Sequence, residues 1–344
     1  MKKRDVSIDI LKGFLTIGMI ICHCMQFFSD IELFIGSKIL VAFFNTITFS
    51  GFVFAFGYTS YLAYFSHNRQ NIRLRMLKNA IKTLIAFYIS GILFRVLFEG
   101  KPLNISTILP IIGLFDIPGW SEFLISFTLF TIIEIIFYDQ LKKIIVNKQI
   151  VTISVIVFLL MCFIPYERVN IAQIGLLIGT TKFAAFPIVQ YMPFYIIGMY
   201  FAKNSIEINR KILILSAGLT ACTVIHSIIN KSIPERFPPS LLWIIAPCFI
   251  LYLYYILSKY MVKYDKLKVV TLIGEIGENS LFFLLLSNIF IFALAGTRSI
   301  PLLNTVESFL IAFLIIMTCL YITNIIRKNF STAYIKKNIN SNQI

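Results

Sequence analysis

Apolar residues along this chain are gathered in blocks of about 20, and the charged residues lie between the blocks. A helix of about 20 residues rises 1.5 Å per residue and so spans the roughly 30 Å hydrocarbon core of a bilayer. The pattern predicts an all-α, polytopic membrane protein with about ten transmembrane helices. The predicted segments are residues 8–28, 39–65, 78–98, 119–137, 149–165, 184–202, 211–230, 240–258, 279–296 and 302–325.

Positive charges are distributed unequally between the two sides of this arrangement. With the N-terminus inside, 21 of the 31 Lys and Arg residues fall in cytoplasmic segments and seven fall in outer loops. Cytoplasmic loops carry the excess of Lys and Arg in membrane proteins, so the asymmetry favours both N- and C-termini in the cytoplasm. We expect one transmembrane domain over residues 1–330 and a short basic cytoplasmic tail over residues 331–344.

Composition narrows the possible partners. The chain is 58% hydrophobic with a formal net charge of +15, but its basic residues lie between apolar blocks rather than on one soluble face. We therefore expect the lipid bilayer as a partner and no nucleic acid, and leave the oligomeric state open. The first apolar block is long and is expected to be a retained helix rather than a signal peptide. The six cysteines lie in or beside apolar blocks, which indicates packing and no metal site.

The first helix carries the most informative ionisable residues. Asp9, Lys12 and His23 share one stripe, because the step of eleven residues from Lys12 to His23 makes about three turns and roughly 16 Å of rise. Lys12 at the cytoplasmic end is placed to bind a phosphate-bearing donor, and a buried imidazole is suited to taking a proton from an attacking alcohol. The alternative is a structural histidine bonded to a neighbouring helix, with Lys12 and Asp9 reaching the interface. The residues alone leave both open.

Other polar residues in the apolar blocks also have two interpretations. Arg95 and Glu122 are candidates to line an outer pocket for a hydroxylated acceptor. Alternatively, Arg95 forms an intrahelical pair with Glu99, and Glu122 is an anchor at the membrane interface. Ser50 lies among aromatic and small residues, where close helix packing is the default. The lone groups Glu134 and His226 favour a structural interpretation.

Two segments carry a resemblance to the acyltransferase-3 family of membrane acyltransferases. SIDILKGFLTIGMIICH resembles the family's first helix, an aspartate and a basic residue followed at a distance by histidine; Lys12 replaces the usual arginine. FFNTITFSGFVFAFGY is similar to the family's aromatic segment containing Ser-Gly-Phe.

Three later segments extend the resemblance over nearly the whole chain. RLRMLKNAIK resembles the basic start of the family's third helix, and YMPFYIIGMYFAKN and GENSLFFLLLSN resemble later family segments. Many relatives carry a histidine where this chain has Ser287.

The resemblance implies a reaction and a set of roles. It implies transfer of an acyl group, usually acetyl, from cytoplasmic acyl-CoA to a hydroxyl of a cell-surface or lipid-linked glycan. Acetyl-CoA is then a substrate, no cofactor is permanently bound, and the location is the plasma membrane. His23 is expected to be the general base or a transient acyl carrier. The remaining expected roles are donor-phosphate binding by Lys12, Arg73, Arg75 and Lys78, and acceptor binding by Arg95, Glu122 and Ser50.

Two alternatives stay open beside the acyltransferase. A transporter or flippase for a glycan or small solute would use the same intramembrane charges without an acyl donor, and would show discontinuous helices and repeat symmetry. An inactive relative that acts as a scaffold is the other, because Lys12 and Ser287 depart from the family pattern.

Overall fold

The computed structural model describes residues 5–66 and 71–341, and within them the regular secondary structure is helical, with no strand. The all-α prediction is therefore confirmed. Residues 2–4, 69 and 342–344, which belong to the predicted basic segments and tail, lie outside the described residues. The α-helices are α1 (Val6–Phe28), α2 (Ile35–Ser60), α3 (Ile72–Leu93), α4 (Ile105–Ile112), α5 (Glu122–Ile136), α6 (Tyr138–Ile144), α7 (Lys148–Leu160), α8 (Ala172–Ile178), α9 (Ile188–Asn204), α10 (Arg210–Asn230), α11 (Leu241–Ile245), α12 (Cys248–Met261), α13 (Lys268–Glu278), α14 (Ser280–Gly296) and α15 (Thr305–Ser341).

Six helical stretches in the described residues are long and apolar enough to cross a bilayer. They are Val6–Phe28, Ile35–Phe65, Ile72–Phe98, Arg210–Asn230, Leu241–Tyr264 and Thr305–Arg327. The number rises to eight if the bent pairs α5–α6 and α13–α14 each count as one span. The multi-pass membrane character is confirmed, whereas the count of about ten and the sidedness of the termini remain predictions.

The difference from the predicted count has a structural reason. The predicted spans 149–165 and 184–202 coincide with shorter helices, α7 with its 3-10 extension and α9, and the predicted spans 119–137 and 279–296 belong to the two bent pairs. The bends are 87° between α5 and α6 and 85° between α13 and α14. Hydropathy reports the length of an apolar run but not a sharp bend beside it.

Helix α1 lies at the centre of the described structure. Most of its residues are buried, and it packs against α2, α12, α13, α14 and α15. By contrast, α10 leaves most of its apolar side chains exposed, as expected of a helix that faces lipid. The residues of α1 are therefore enclosed by protein, which makes its polar side chains candidates for function.

A small-residue contact brings α1 and α13 close together. A Cβ atom added to Gly277 would lie 1.8 Å from the Asp9 carbonyl oxygen, and one added to Gly13 would lie 2.1 Å from the Ile273 carbonyl oxygen. Any larger side chain at either position would push the two backbones apart, because backbone atoms cannot rotate away. This contact fixes the position of α1 relative to the helices that follow α12.

A polar network ties the start of α1 to α2 and α12. Asp5 is the N-cap of α1 and accepts hydrogen bonds from the Ser7 backbone N–H at 3.0 Å and the Tyr58 hydroxyl at 2.7 Å. The Lys259 ammonium lies 3.1 Å from the same carboxylate. Burial alone would raise the pKa of Asp5, but these hydrogen bonds and the Lys259 charge outweigh it and lower that pKa.

Candidate active site

His23 lies near the C-terminal end of α1 and lines a cavity of about 220 Å³. At about 30 Å³ per water molecule, this equals roughly seven waters. The walls come from the end of α1, the middle of α2, the start of α5, the segment before α9 and the loop between α10 and α11. The lining residues are Met19, Cys22, His23, Gln26, Phe44, Asn45, Thr48, Phe49, Phe52, Gly119, Trp120, Glu122, Phe123, Ala184, Phe186, Arg236 and Phe237.

The hydrogen bonds of Asn288 fix the tautomer of neutral His23. The Asn288 amide nitrogen lies 3.2 Å from the Trp120 carbonyl oxygen and 3.3 Å from Ser90 Oγ, and its Oδ1 lies 3.2 Å from His23 Nδ1. A carbonyl oxygen only accepts hydrogen bonds, so the amide NH₂ must face Trp120 and the amide oxygen must face His23. His23 Nδ1 therefore donates to Asn288.

This arrangement leaves the second ring nitrogen of His23 as an acceptor. In neutral imidazole one nitrogen carries the proton, so a protonated Nδ1 means an unprotonated Nε2. The described residues offer Nε2 no hydrogen-bond partner, and the ring lines the cavity. His23 is thus bonded to a neighbouring helix, as the structural interpretation expected, and it also presents a base to an open space, as the catalytic one expected.

Two charged side chains in the cavity wall have unsatisfied atoms. Glu122 Oε2 and Arg236 Nε are both buried without a hydrogen-bond partner in the described residues. The two side chains line the same cavity but form no ion pair within 4.0 Å of one another among those residues. Buried polar atoms are nearly always paired, so unpaired ones at a cavity mark positions where a ligand would bind.

The residues predicted to bind the donor lie away from this cavity. The Lys12 ammonium is paired with Asp9 at 2.8 Å and is partly buried, about three turns along α1 from His23. Arg73, Arg75 and Lys78 are exposed on the first turns of α3, which begins earlier than the predicted residue 78. The structure therefore places this basic group on the helix itself rather than in the loop before it.

Of the predicted acceptor-binding residues, Glu122 lines the cavity and the other two do not. The Arg95 guanidinium binds Asp116, with Nε to Oδ2 at 3.0 Å, and also binds Glu99. Ser50 is buried inside α2. The structure therefore joins His23 and Glu122 in one site, while the roles of Arg95 and Ser50 remain predictions without support from the cavity.

Asn288 and Arg236 are the site residues that sequence reasoning missed. Asn288 was recognisable as a buried polar group, but no sequence pattern joins it to a histidine 265 residues earlier. Arg236 is one of the seven Lys and Arg residues of the predicted outer loops, where an exposed position is the usual one. Among the described residues, the Ser287 hydroxyl hydrogen-bonds to the Leu284 carbonyl of its own helix, whereas its neighbour Asn288 hydrogen-bonds to His23.

The described residues contain no group of three or more His, Cys, Asp or Glu side chains arranged to hold a metal ion. All six cysteines are free thiols in the structure. The ionisable side chains that line the cavity are His23, Glu122, Arg236 and the Cys22 thiol.

An imidazole oriented by a buried amide inside a helical membrane domain defines a class of membrane protein equipped for acid-base chemistry. The family comparison is specific: the model of an acyltransferase domain matches residues 5–325, and the chain belongs to the acyltransferase-3 family. The predicted family is confirmed, and membership implies membrane acyltransferase activity. Comparisons with curated proteins and with solved structures gave no match.

Proposed function

We propose that this protein is an O-acyltransferase that moves an acetyl group from acetyl-CoA to a hydroxyl group of a cell-surface or lipid-linked glycan. The observation that carries the proposal is the His23–Asn288 hydrogen bond, which leaves His23 Nε2 as an unprotonated base at a cavity. Transfer to an alcohol requires such a base, because a neutral hydroxyl is a weak nucleophile.

The proposed step uses His23 as general base and then as general acid. Nε2 takes the proton of the acceptor hydroxyl while its oxygen attacks the thioester carbonyl carbon. The resulting imidazolium is stabilised through Nδ1–H by the Asn288 amide oxygen. When the carbon–sulfur bond breaks, the imidazolium returns the proton to the leaving thiolate, so the site regains its resting state.

The position of the cavity supports an acceptor that arrives from outside the cell. The cavity walls include the end of α1 and the start of α5, which the charge distribution predicts to be outer, and the predicted outer loop at 231–240, whereas α2 contributes its middle. His23 is 17 residues from the first residue of α1, or about 26 Å of helix. A cytoplasmic donor would have to carry its acyl group over most of that length.

The basic residues at the opposite ends of the helices are the proposed donor-binding group. Lys12 is partly buried, and Arg73, Arg75 and Lys78 are exposed at the start of α3. Exposed cations can approach phosphate oxygens without first breaking a buried ion pair. Glu122 in the cavity is the proposed partner of the acceptor hydroxyl, since its Oε2 lacks a hydrogen bond in the described residues.

The glycan transporter remains a second candidate on one observation. A transporter is expected to have discontinuous helices, and α13 and α14 meet at a break at the start of α14, the helix that carries Asn288. Transport requires no acyl chemistry, so a measurement of acetylation separates the two functions.

The experiment compares acetate released by mild alkali from purified surface polysaccharide. A deletion strain is complemented with wild type, His23→Ala or His226→Ala; His226 is a matched control because it lies on α10 and bonds only to Asn230. We expect wild type and His226→Ala to restore acetate and His23→Ala to fail despite equal abundance in the membrane. A fully active His23→Ala protein would exclude His23 as the base, and unchanged acetate in the deletion strain would exclude this glycan as acceptor.

A further inference from the structure

Arg236 lies at the proposed active site and forms no ion pair with any residue that the structure describes. It belongs to the loop between α10 and α11, lines the cavity together with His23 and Glu122, and has a buried Nε without a partner. The described residues provide no ion pair and no hydrogen bond to its guanidinium. Arg236 as a whole is half-buried, but a buried N–H without a hydrogen bond is costly, so its Nε marks a position where a ligand would bind.

Aromatic rings hold the guanidinium in place. Its central carbon lies 4.5 Å from the centre of the Phe237 ring, 5.2 Å from that of Phe186 and 6.0 Å from that of Trp243. The Trp243 ring is itself fixed, since its Nε1 donates to the Tyr191 hydroxyl at 3.2 Å. Ring faces attract a guanidinium but satisfy none of its N–H donors, so the group is oriented while its hydrogen bonds remain available.

Arg236 keeps its charge in this environment. Burial lowers its pKa, and the neighbouring Cys22, Glu122 and Tyr191 groups oppose that shift. The ordinary pKa of arginine is above 12, so the guanidinium stays protonated at neutral pH. The cavity therefore contains a fixed positive charge beside an uncharged base.

We propose that Arg236 is a catalytic residue that donates hydrogen bonds to the thioester carbonyl oxygen as negative charge forms on it. This inference rests on the proposed acyl transfer. When the acceptor oxygen attacks the carbonyl carbon, the electron pair of the C=O π bond moves to oxygen, and the acceptor proton moves to His23 Nε2. The oxyanion faces the guanidinium, and on collapse the carbon–sulfur bond breaks and the thiolate takes the proton from His23. All charges and protons balance.

A preorganised cation among aromatic side chains is an effective way to stabilise such an oxyanion. Removing one donor of this kind costs about 10²- to 10³-fold in kcat in enzymes that transfer acyl groups. The loss appears in kcat because the contact strengthens in the transition state, and KM for the donor changes little.

The test uses isolated membranes, radiolabelled acetyl-CoA and unacetylated surface polysaccharide purified from the deletion strain. Initial rates are measured against both substrates for wild type, His23→Ala, Arg236→Gln, Arg236→Lys and Arg236→Ala. Arg168→Gln is the matched control, since Arg168 is an exposed arginine of another predicted outer loop. All rates are divided by the amount of folded protein in the membrane.

We expect kcat to fall about 100-fold or more in Arg236→Gln, with KM for acetyl-CoA within about threefold of wild type, and Arg168→Gln to match wild type. Methylguanidinium is expected to restore part of the rate to Arg236→Ala and none to His23→Ala, which a purely structural role would not produce. If the Gln and Ala variants do not accumulate, Arg236→Lys decides, with at least a tenfold fall in kcat expected because the planar fork is lost.

Two results would overturn the inference while leaving the proposed function intact. One is a normal kcat in an Arg236 variant when His23→Ala is inactive. The other is a normal kcat with a raised requirement for polysaccharide, which would make Arg236 an acceptor-binding residue. Absence of transfer by wild type to this polysaccharide would instead count against the proposed function.

Discussion

Replacing Asn288 with leucine tests whether catalysis depends on the orientation of His23. Leucine has a similar volume but cannot accept the Nδ1–H hydrogen bond, so His23 becomes free to change tautomer and rotate. The described structure provides no substitute acceptor for Nδ1 at this position. The perturbation therefore acts on the proposed base without touching the cavity, since Asn288 is not among its lining residues.

The size of the effect follows from the charge that His23 gains during the reaction. A hydrogen bond to a charged group is worth about 1.5–3 kcal/mol, which corresponds to about a 10- to 150-fold fall in kcat. Asn288→Leu also removes the donors to Ser90 and the Trp120 carbonyl oxygen. Some loss of stability is thus expected in addition, and rates must be normalised to folded protein.

The assay is acetate transfer in isolated membranes, with Ser287→Ala as the matched control. Ser287 is the preceding residue on α14, and its hydroxyl bonds only within its own helix, so this variant should behave as wild type. The double variant His23→Ala, Asn288→Leu should be no slower than His23→Ala alone, because Asn288 acts through His23. Asn288→Leu activity within about threefold of wild type, with His23→Ala inactive, would refute the tautomer argument.

Three other substitutions address packing and charge. Gly277→Ala should destabilise the protein by about 1–3 kcal/mol, because the added Cβ would push α1 and α13 apart. Gly274→Ala on the same helix should be neutral or stabilising, because a Cβ there would meet nothing within 4 Å. Thermal melting in detergent compares the two variants. Asp5→Ala should lower the melting temperature by a constant amount from about pH 5 to about pH 8, because the depressed folded-state pKa of Asp5 keeps its carboxylate charged there. The difference in melting temperature between wild type and variant should narrow only below the ordinary pKa of 3.8. A difference that narrows above this pH would contradict the lowered pKa of Asp5. Arg95→Gln should reduce stability more than kcat, because its partners are Asp116 and Glu99 rather than the cavity; a selective loss of kcat at normal stability would restore the predicted acceptor role.

The sequence predicted the helical class and the importance of the first helix for identifiable reasons. Long apolar blocks leave few alternatives to membrane helices, and a histidine in such a block is costly enough to suggest function. Both arguments depend on local sequence alone. The structure places His23 and Glu122 at one cavity, and the catalytic role of His23 and the acceptor-binding role of Glu122 stay predictions.

The rest of the site depended on contacts between distant parts of the chain. The partner of His23 is 265 residues away, and Arg236 enters the cavity only because its loop folds over Phe186 and Trp243. Arg95 was predicted to bind the acceptor because it lies near the outer end of a helix. In the structure its guanidinium instead donates to Asp116, which lies in a separate loop. Charge and spacing cannot show which of several possible partners a side chain reaches.

The central position of α1 also determines when the protein can become active during its synthesis. The first helix to leave the ribosome needs α13, α14 and α15 as neighbours, and His23 waits for Asn288. At about 5–20 residues per second, the 265 intervening residues take roughly 13–53 s to translate. During that interval α1, with Asp9, Lys12 and His23, must be held in the membrane without its final partners. A chain cut short before α14 therefore lacks Asn288, the residue that hydrogen-bonds to His23, and leaves the proposed base without its orienting partner.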